Sequence, residues 1–228
     1  MRNSLLSSLR KAVPMSAKSV LGAIIFHFDM LERKLSSYLG ITVSERIVEN
    51  PWVISNIDLK RGRVLDVGCC YSYLSHELIR RGYDVYGIDV NPYPQKHSKM
   101  KFYQADVTHT PFPDGYFNRI IAVSTIEHVG LGYFGDPQQN DGDITCMKEL
   151  NRILKPTGAI LMTVPYANQS LVTASHRIYD EHKLSSLIHG FTVKKREHYV
   201  QNGSRWLKVA RGNACKPTVV CLVLKKEE

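Results

Sequence analysis

The chain has 228 residues, a length that fits one large domain with short terminal additions. With 43% hydrophobic and 22% charged residues, the composition is that of a globular protein and excludes a disordered chain, collagen and a coiled coil. The longest nearly unbroken apolar run, residues 20–28, is shorter than the about 20 residues that span a bilayer. Five cysteines without a C-x-x-C spacing indicate free thiols in a reducing, cytoplasmic compartment.

The net charge of +9 is concentrated at the two ends of the chain. Residues 1–28 hold four Lys/Arg and no acid, and residues 194–228 hold nine Lys/Arg and three acids, so the middle is nearly neutral. The basic ends either form an ordinary soluble surface or meet an anionic partner. Such a partner is a phosphate-bearing substrate, a membrane surface or a nucleic acid.

Residues 1–44 are predicted to form a basic helical segment ahead of the main domain at 45–228. Apolar residues recur every three or four positions across residues 17–39, at Leu21, Ile24, Ile25, Phe28, Leu31, Leu35 and Leu39. We favour a helix that packs over the main domain as a lid. The alternative is a helix that lies on the cytoplasmic face of a membrane, with its basic residues facing lipid phosphates.

From residue 62 onward, strand-like and helix-like runs alternate. The predicted strands are 63–67, 84–90, 101–105, 118–124, 159–164, 192–200 and 218–224, and the predicted helices are 72–81, 142–154 and 180–189. Residues 155–158 predict a turn, and Asp180 is the predicted cap of the last helix. This alternation is typical of a doubly wound, mostly parallel α/β sheet, here with seven strands, in which ligands bind at the carboxyl ends of the strands.

The turns after the first two predicted strands carry features of a nucleoside site. Residues 64–72 read V-L-D-V-G-C-C-Y-S, and Asp89 ends the second strand, 23 residues after Asp66. A carboxylate at this place can hold the two hydroxyls of a ribose. Of the G-x-G-x-x-G pattern that a pyrophosphate requires, only Gly68 is present, and Asp66 would repel a phosphate. S-adenosylmethionine, which has a ribose and an ammonium group but no phosphate, fits this pattern.

Five motifs in this order resemble the class I S-adenosylmethionine-dependent methyltransferases of type 11. They are D-V-G-C at 66–69, D-V at 89–90, Y-Q-A-D-V at 103–107, T-P-F-P-D-G at 110–115 and R-I-L-K-P-T-G at 152–158. The resemblance implies a Rossmann-like methyltransferase fold. It also implies a cofactor site made by Asp66, Gly68, Cys69, Asp89, Val90, Asp106 and Val107, with the last two at the adenine. Cys70 and Ser72 stand where this family usually has glycine.

Candidate catalytic residues follow the fourth predicted strand, in S-T-I-E-H-V at 124–129. In the resembled family the position of His128 faces the methyl group, and a histidine can take the proton of a hydroxyl acceptor near neutral pH. Glu127 would orient His128, and His176 is a second candidate base; the alternative is that Glu127 and His128 only cap the segment. Glu127, His128 and His176 could together bind a divalent metal, as in the metal-dependent methyltransferases that they resemble. Those enzymes carry a further glutamate where Ser124 stands here, so no metal is predicted and metal dependence stays the alternative.

Two loops are predicted to cover the acceptor. The glycine-rich loop 130–142 carries Tyr133 and Phe134, whose rings suit stacking on a sugar, and the loop after the fifth strand carries Tyr166 and the candidate anion-binding Arg177. These loops resemble a subgroup associated with surface-polysaccharide and glycolipid gene sets. The predicted reaction is therefore O-methylation of a sugar or glycolipid hydroxyl or carboxylate. An RNA methyltransferase and a catalytically inactive cofactor-binding subunit are the alternatives, and the oligomeric state stays open.

Overall fold

The computed structural model describes residues 43–58, 61–93, 97–203, 205–210 and 218–227. The predicted helix at 17–39, and with it the choice between a lid and a membrane contact, lies outside these residues. Within the described ranges, none of the helices has both the length and the apolar character needed to cross a bilayer.

The described residues form four helices and ten strands. The helices are α1 (Arg46–Asn56), α2 (Leu74–Arg80), α3 (Gly142–Ile153) and α4 (Glu181–Leu187). The strands are β1 (Arg63–Val67), β2 (Asp84–Asp89), β3 (Lys101–Gln104), β4 (Phe117–Val123), β5 (Leu154–Tyr166), β6 (Leu171–Val172), β7 (Arg177–Ile178), β8 (Phe191–Asn202), β9 (Arg205–Val209) and β10 (Thr218–Lys226).

Eight of these strands form one sheet in the order β3-β2-β1-β4-β5-β10-β8-β9, and β6 pairs with β7 in a separate hairpin. The first five strands of that order are parallel, whereas β10, β8 and β9 are antiparallel to their neighbours. The predicted α/β fold is thus confirmed, with eight strands in the sheet rather than seven. The additional strand is β9, which pairs back on the end of β8.

The predicted turn at 155–158 is wrong as a boundary, because β5 begins at Leu154 and includes these residues. Leu154 pairs with Phe117, and Ala159 pairs with Arg119. Between these two pairs, β5 contains more residues than β4. The surplus residues form a bulge, where a proline does not break a ladder hydrogen bond. The turn-like sequence therefore bends a continuous strand instead of preceding it.

Alternate residues of the central strands pack against helices on opposite faces of the sheet. In β4, Ile120 and Ala122 belong to the core that includes α3 and α4, whereas Ile121 and Val123 belong to the core that includes α1 and α2. A parallel strand that is covered on both faces must be apolar at every position, and β4 satisfies this from residue 120 to 123.

The parallel register brings three strand ends to one edge of the sheet. Val67 of β1 pairs with Ile88 of β2 on one side and with Ala122 of β4 on the other. The residues that follow these three paired residues in the chain, Gly68, Asp89 and Val123, consequently lie side by side at the carboxyl edge. This edge is where the candidate site is found.

We expect Phe117→Ala to lower the free energy of unfolding by about 3–5 kcal/mol, because it leaves a cavity in the core. The Phe117 side chain is fully buried, with ring centroids of Tyr86 and Phe112 at 5.3 and 4.8 Å. Urea unfolding measures the change, and Val193→Ala, at a side chain that is 38% exposed, is the matched control. Equal losses in the two variants would contradict the assignment of Phe117 to the core.

Candidate active site

A cleft opens at the carboxyl edge of the sheet and holds about 790 Å³ of empty space, its open mouth included. This size is typical of sites for small molecules and cofactors. The residues that line it are Arg46, Val67, Gly68, Ile88, Asp89, Val90, Asn91, Ala105, Val107, Ser124, Thr125, His128, Val129, Phe134 and Asp136. Six predicted site residues are among them. They are the cofactor residues Gly68, Asp89, Val90 and Val107, the catalytic residue His128 and the acceptor residue Phe134.

Gly68 brings the backbone of the turn after β1 close to the segment after β4. Its φ is +69°, a conformation that glycine adopts without strain, and a Cβ at this position would lie 2.4 Å from Cγ2 of Thr125. A larger residue would push the two segments apart. Gly68 therefore allows these two segments to pack closely against each other at the cleft.

Asp89 is held at the end of β2 by two backbone groups. Its Oδ2 accepts a hydrogen bond from the N–H of Cys70 at 3.0 Å, and its Oδ1 accepts one from the N–H of Asn91 at 2.9 Å. Because each carboxylate oxygen can accept more than one hydrogen bond, both retain capacity for a ligand hydroxyl. Asp89 is thus oriented as a receptor for a ribose diol, and the turn closes with Cys70 in the place of a glycine.

Three other predicted cofactor residues are absent from the lining of the cleft. Asp66 is buried and accepts a hydrogen bond from Ser75 Oγ at 2.6 Å, so it ties β1 to α2, and burial raises its pKa to about 6. Cys69 is fully buried in a cluster with Tyr93. Asp106 accepts a hydrogen bond from the N–H of Thr108 at 2.8 Å and shapes the turn that carries Val107.

His128 lies in a short 3₁₀ turn after β4 and lines the cleft. Its Nδ1 is hydrogen-bonded to the carbonyl oxygen of Ser175. A carbonyl can only accept, so Nδ1 carries the proton and Nε2 of the neutral ring has the free lone pair. Burial lowers the pKa of His128 from its usual value, which favours this neutral form.

Glu127 and His176, the other predicted catalytic residues, lie near His128 but do not hydrogen-bond to its ring. Glu127 is buried, its Oε1 is 3.9 Å from His128 Nε2, and burial raises its pKa well above the usual range. The ring centroids of His176 and His128 are 6.3 Å apart. Within the described residues, no three histidine, cysteine or carboxylate side chains come together as metal ligands would.

The predicted acceptor residues divide into two groups. Phe134 lines the cleft, with its ring centroid 5.0 Å from that of His128, and Tyr133 packs on Phe134 while remaining 61% exposed. Arg177 and Tyr166 are instead buried and lie outside the cleft lining. The hydroxyl of Tyr166 donates to Glu181 Oε2 at 3.1 Å.

The guanidinium of Arg177 binds groups inside the protein and does not line the cleft. It donates to the carbonyl oxygens of Val129 at 2.6 Å and Asn140 at 3.3 Å, and its Nε lies 3.6 Å from Asp143 Oδ2. Because these partners satisfy and neutralise the group, neither Arg177 nor Tyr166 is part of the site that we propose. The sequence pattern could not distinguish a buried arginine from an exposed one.

Arg46 of α1 is a cleft residue that the sequence analysis missed. Its guanidinium donates to the carbonyl oxygen of Val123 and lies 3.6 Å from Glu49 Oε2. As the cation of the cleft lining, Arg46 can attract a carboxylate of a ligand. No sequence signal marked it, since α1 contains Pro51 and had not been predicted as a helix.

Comparisons with known proteins agree with this geometry. Residues 65–162 match the family model for a methyltransferase domain. A sterol 24-C-methyltransferase of Gibberella zeae is 30% identical over 138 residues, which cover 53% of this chain and 33% of that protein. A ubiquinone biosynthesis O-methyltransferase of Azorhizobium caulinodans is 27% identical over 132 residues, which cover 52% of each chain.

The fold is also found in solved structures. The crystal structure of Burkholderia thailandensis 1,6-didemethyltoxoflavin-N1-methyltransferase, with bound 1,6-didemethyltoxoflavin and S-adenosylhomocysteine, aligns with a TM-score of 0.61. The alignment covers 94% of this chain and 93% of that chain at 15% sequence identity. At this identity the likeness shows a shared fold.

Residues 65–162 therefore match a methyltransferase domain, and the chain has a Rossmann-like fold. S-adenosylmethionine is the cofactor of such methyltransferases. The cleft offers it the carboxylate of Asp89, which can accept hydrogen bonds from ribose hydroxyls, and the guanidinium of Arg46, which supplies a cation. The chain covers less than two thirds of the lengths of both curated relatives.

We expect Asp89→Ala to weaken binding of S-adenosylhomocysteine by tenfold or more, because it removes two charge-assisted hydrogen bonds to the ribose, each worth about 1.5–3 kcal/mol. Titration calorimetry measures the dissociation constant. The matched control is Asp84→Ala at the other end of β2, where the carboxylate is exposed and pairs with Lys101 at 2.8 Å. An unchanged dissociation constant in the Asp89→Ala protein would place the cofactor elsewhere.

Proposed function

We propose that this protein transfers a methyl group from S-adenosylmethionine to a hydroxyl of a sugar or glycolipid, with His128 as the general base. The observation that carries the proposal is the Nε2 lone pair of a half-buried, neutral imidazole that lines the cleft, beside the residues that fit the cofactor. A carboxylate acceptor is already ionised at neutral pH and needs no base. A positioned base therefore favours a hydroxyl acceptor over a carboxylate.

The protein has two tasks in such a transfer, because bound S-adenosylmethionine supplies an activated methyl group. The first is to hold the acceptor hydroxyl against the cofactor, which lowers the entropic barrier. The second is to remove the hydroxyl proton, which has a pKa far above neutrality. His128 Nε2 accepts that proton, and the Ser175 carbonyl stabilises the resulting imidazolium because Nδ1 donates to it throughout. The His128 side chain is 28% exposed, so the proton can then pass to solvent.

The glycine-rich loop 130–142, which with Tyr133 and Phe134 forms an aromatic flap, supports a sugar as the acceptor. Phe134 borders both the cleft and the His128 ring, and its backbone oxygen accepts a hydrogen bond from Asn91 Nδ2 at 3.2 Å, which ties the flap to the cofactor side of the cleft. Aromatic rings in this position can stack on the apolar face of a sugar. The exposed ring of Tyr133 extends the same surface outward.

The two alternatives, an RNA methyltransferase and an inactive cofactor-binding subunit, give different results in one assay. A methyl-transfer screen with labelled S-adenosylmethionine would contain glycolipids, nucleotide sugars and total RNA as separate acceptor pools. Labelling of a glycan pool supports the proposal, and labelling of RNA alone contradicts it. A thermal shift with S-adenosylhomocysteine, in the absence of labelling in any pool, would favour the inactive subunit.

We expect His128→Ala to lower the turnover number by about 10²–10⁴-fold, because the proton of the hydroxyl no longer has a base. Affinity for S-adenosylhomocysteine should change little, since the imidazole serves the acceptor side. Single-turnover methyl transfer and calorimetry measure the two quantities, with His182→Ala, at an exposed position of α4, as the control. Full activity of the His128→Ala protein would remove histidine from the mechanism.

The pH dependence of the reaction should report the low pKa of His128. The neutral ring is the active form, so the rate is constant above the pKa and decreases as pH falls through it. Burial holds that pKa below the usual histidine value of about 6.5, so activity should persist at pH 6.5 and decline only in more acidic buffer. A single-turnover rate profile from pH 5 to 8 measures this midpoint. A midpoint above 6.5 would show that another group controls the rate.

A further inference from the structure

The hairpin formed by β6 and β7 touches the candidate base. Thr173 donates its backbone N–H to the carbonyl oxygen of His176 at 2.9 Å, so that Ala174 and Ser175 form a two-residue loop. Tight hairpin loops of this length usually require positive φ angles, which Asn and Gly supply. Neither Ala174 nor Ser175 has a positive φ. Other contacts must therefore hold this loop closed.

The hydroxyl of Thr173 provides these contacts. Its Oγ1 accepts hydrogen bonds from the N–H groups of Ser175 at 3.3 Å and His176 at 3.0 Å, and it donates to the carbonyl oxygen of His176 at 2.9 Å. One side-chain atom thus bonds three backbone groups of the loop. Thr173 is half-buried, whereas its neighbour Ala174 is exposed.

These bonds determine where the Ser175 carbonyl points. The carbonyl of Ser175 and the N–H of His176 belong to the same trans peptide, in which the two groups point in opposite directions. Because Thr173 Oγ1 holds that N–H, the carbonyl is directed away from Thr173, and its acceptor contact is Nδ1 of His128. The hydroxyl of Thr173 therefore acts on His128 through a single rigid peptide unit.

We propose that Thr173 is a positioning residue that fixes His128 in the tautomer with a protonated Nδ1 and a free Nε2. The tautomer is a property of the folded protein; the catalytic consequence of losing it rests on the proposed function. Without an acceptor at Nδ1, the imidazole is free to carry its proton on Nε2, where it can no longer serve as a base.

Other groups near His128 do not replace this contact. The titratable and charged groups that face its ring are Glu127, His176, Arg46 and Asp136. Among them, Glu127 Oε1 lies 3.9 Å from Nε2, which is beyond hydrogen-bond distance. The Ser175 carbonyl is the acceptor at Nδ1. The loop that orients this carbonyl therefore favours the tautomer with the proton on Nδ1.

The test is ¹⁵N NMR of histidine-labelled protein at pH 8, where the ¹⁵N shifts of the two ring nitrogens report which one is protonated. The His128→Ala spectrum identifies the His128 signals. We compare the wild type with Thr173→Val, which keeps the shape but removes the hydroxyl, and with Thr173→Ser, which keeps the hydroxyl. Thr192→Val, at an exposed position of β8, is the matched control. Thr173→Ala is a second hydroxyl-free variant in case the valine protein does not fold.

We expect the ratio of the Nδ1–H to the Nε2–H tautomer of His128 to fall about fivefold in Thr173→Val, as for the loss of one hydrogen bond. Thr173→Ser and Thr192→Val should keep the wild-type ratio. An unchanged ratio in Thr173→Val and Thr173→Ala would overturn the proposal, as would an equal change in Thr173→Ser.

Methyl-transfer kinetics separate this inference from the proposed function. If both are right, Thr173→Val lowers kcat at pH 8 in proportion to the measured fall in the fraction of the Nδ1–H tautomer, with an unchanged KM for the cofactor, and Thr173→Ser restores it. A changed tautomer ratio with wild-type kcat would support the positioning role of Thr173 and contradict the role of His128 as base.

Discussion

The buried guanidinium of Arg177 holds together the part of the molecule in which the chemistry would occur. From β7 it bonds the carbonyl oxygens of Val129 and Asn140, at the two ends of the aromatic flap, and it pairs with Asp143 of α3. A buried charge is tolerated only when paired and hydrogen-bonded, and removal of one partner typically costs about 3–5 kcal/mol. Arg177 therefore links the hairpin, the His128 turn and the flap, in addition to the hydrogen bonds that His128 and Phe134 make themselves.

This arrangement assigns separate tasks to the two halves of the cleft. On the cofactor side, the ends of β1 and β2 present backbone and the carboxylate of Asp89, both fixed by the parallel register of the sheet. On the acceptor side, the hairpin and the flap surround His128, and hydrogen bonds rather than strands fix their shape. The sheet thus provides the edge at which we propose that the cofactor binds, and the loops provide the acceptor side of the cleft.

The sequence predicted the sheet well, and four of the seven predicted cofactor residues line the cleft, because both depend on local patterns. Apolar runs mark strands such as β4, and a glycine turn followed by Asp89 marks a nucleoside site. The roles of Arg177, Tyr166 and Arg46 depended on tertiary contacts that no local pattern encodes. An arginine in a loop is a residue type that often binds anions at the protein surface, yet the fold buries Arg177. The turn predicted at 155–158 lies within a strand, because bulges and turns favour the same residue types, here Pro156 and Gly158.

A crystal structure of the protein with S-adenosylhomocysteine is the most direct test of the central claim, that one cleft holds the cofactor beside a histidine with a free nitrogen. The account predicts that the ribose hydroxyls bond to Asp89 and that the sulfur faces the His128 side of the cleft. It also predicts that Nδ1 of His128 remains bonded to Ser175. A ligand bound away from Asp89, or a His128 ring turned out of the cleft in the complex, would contradict the account.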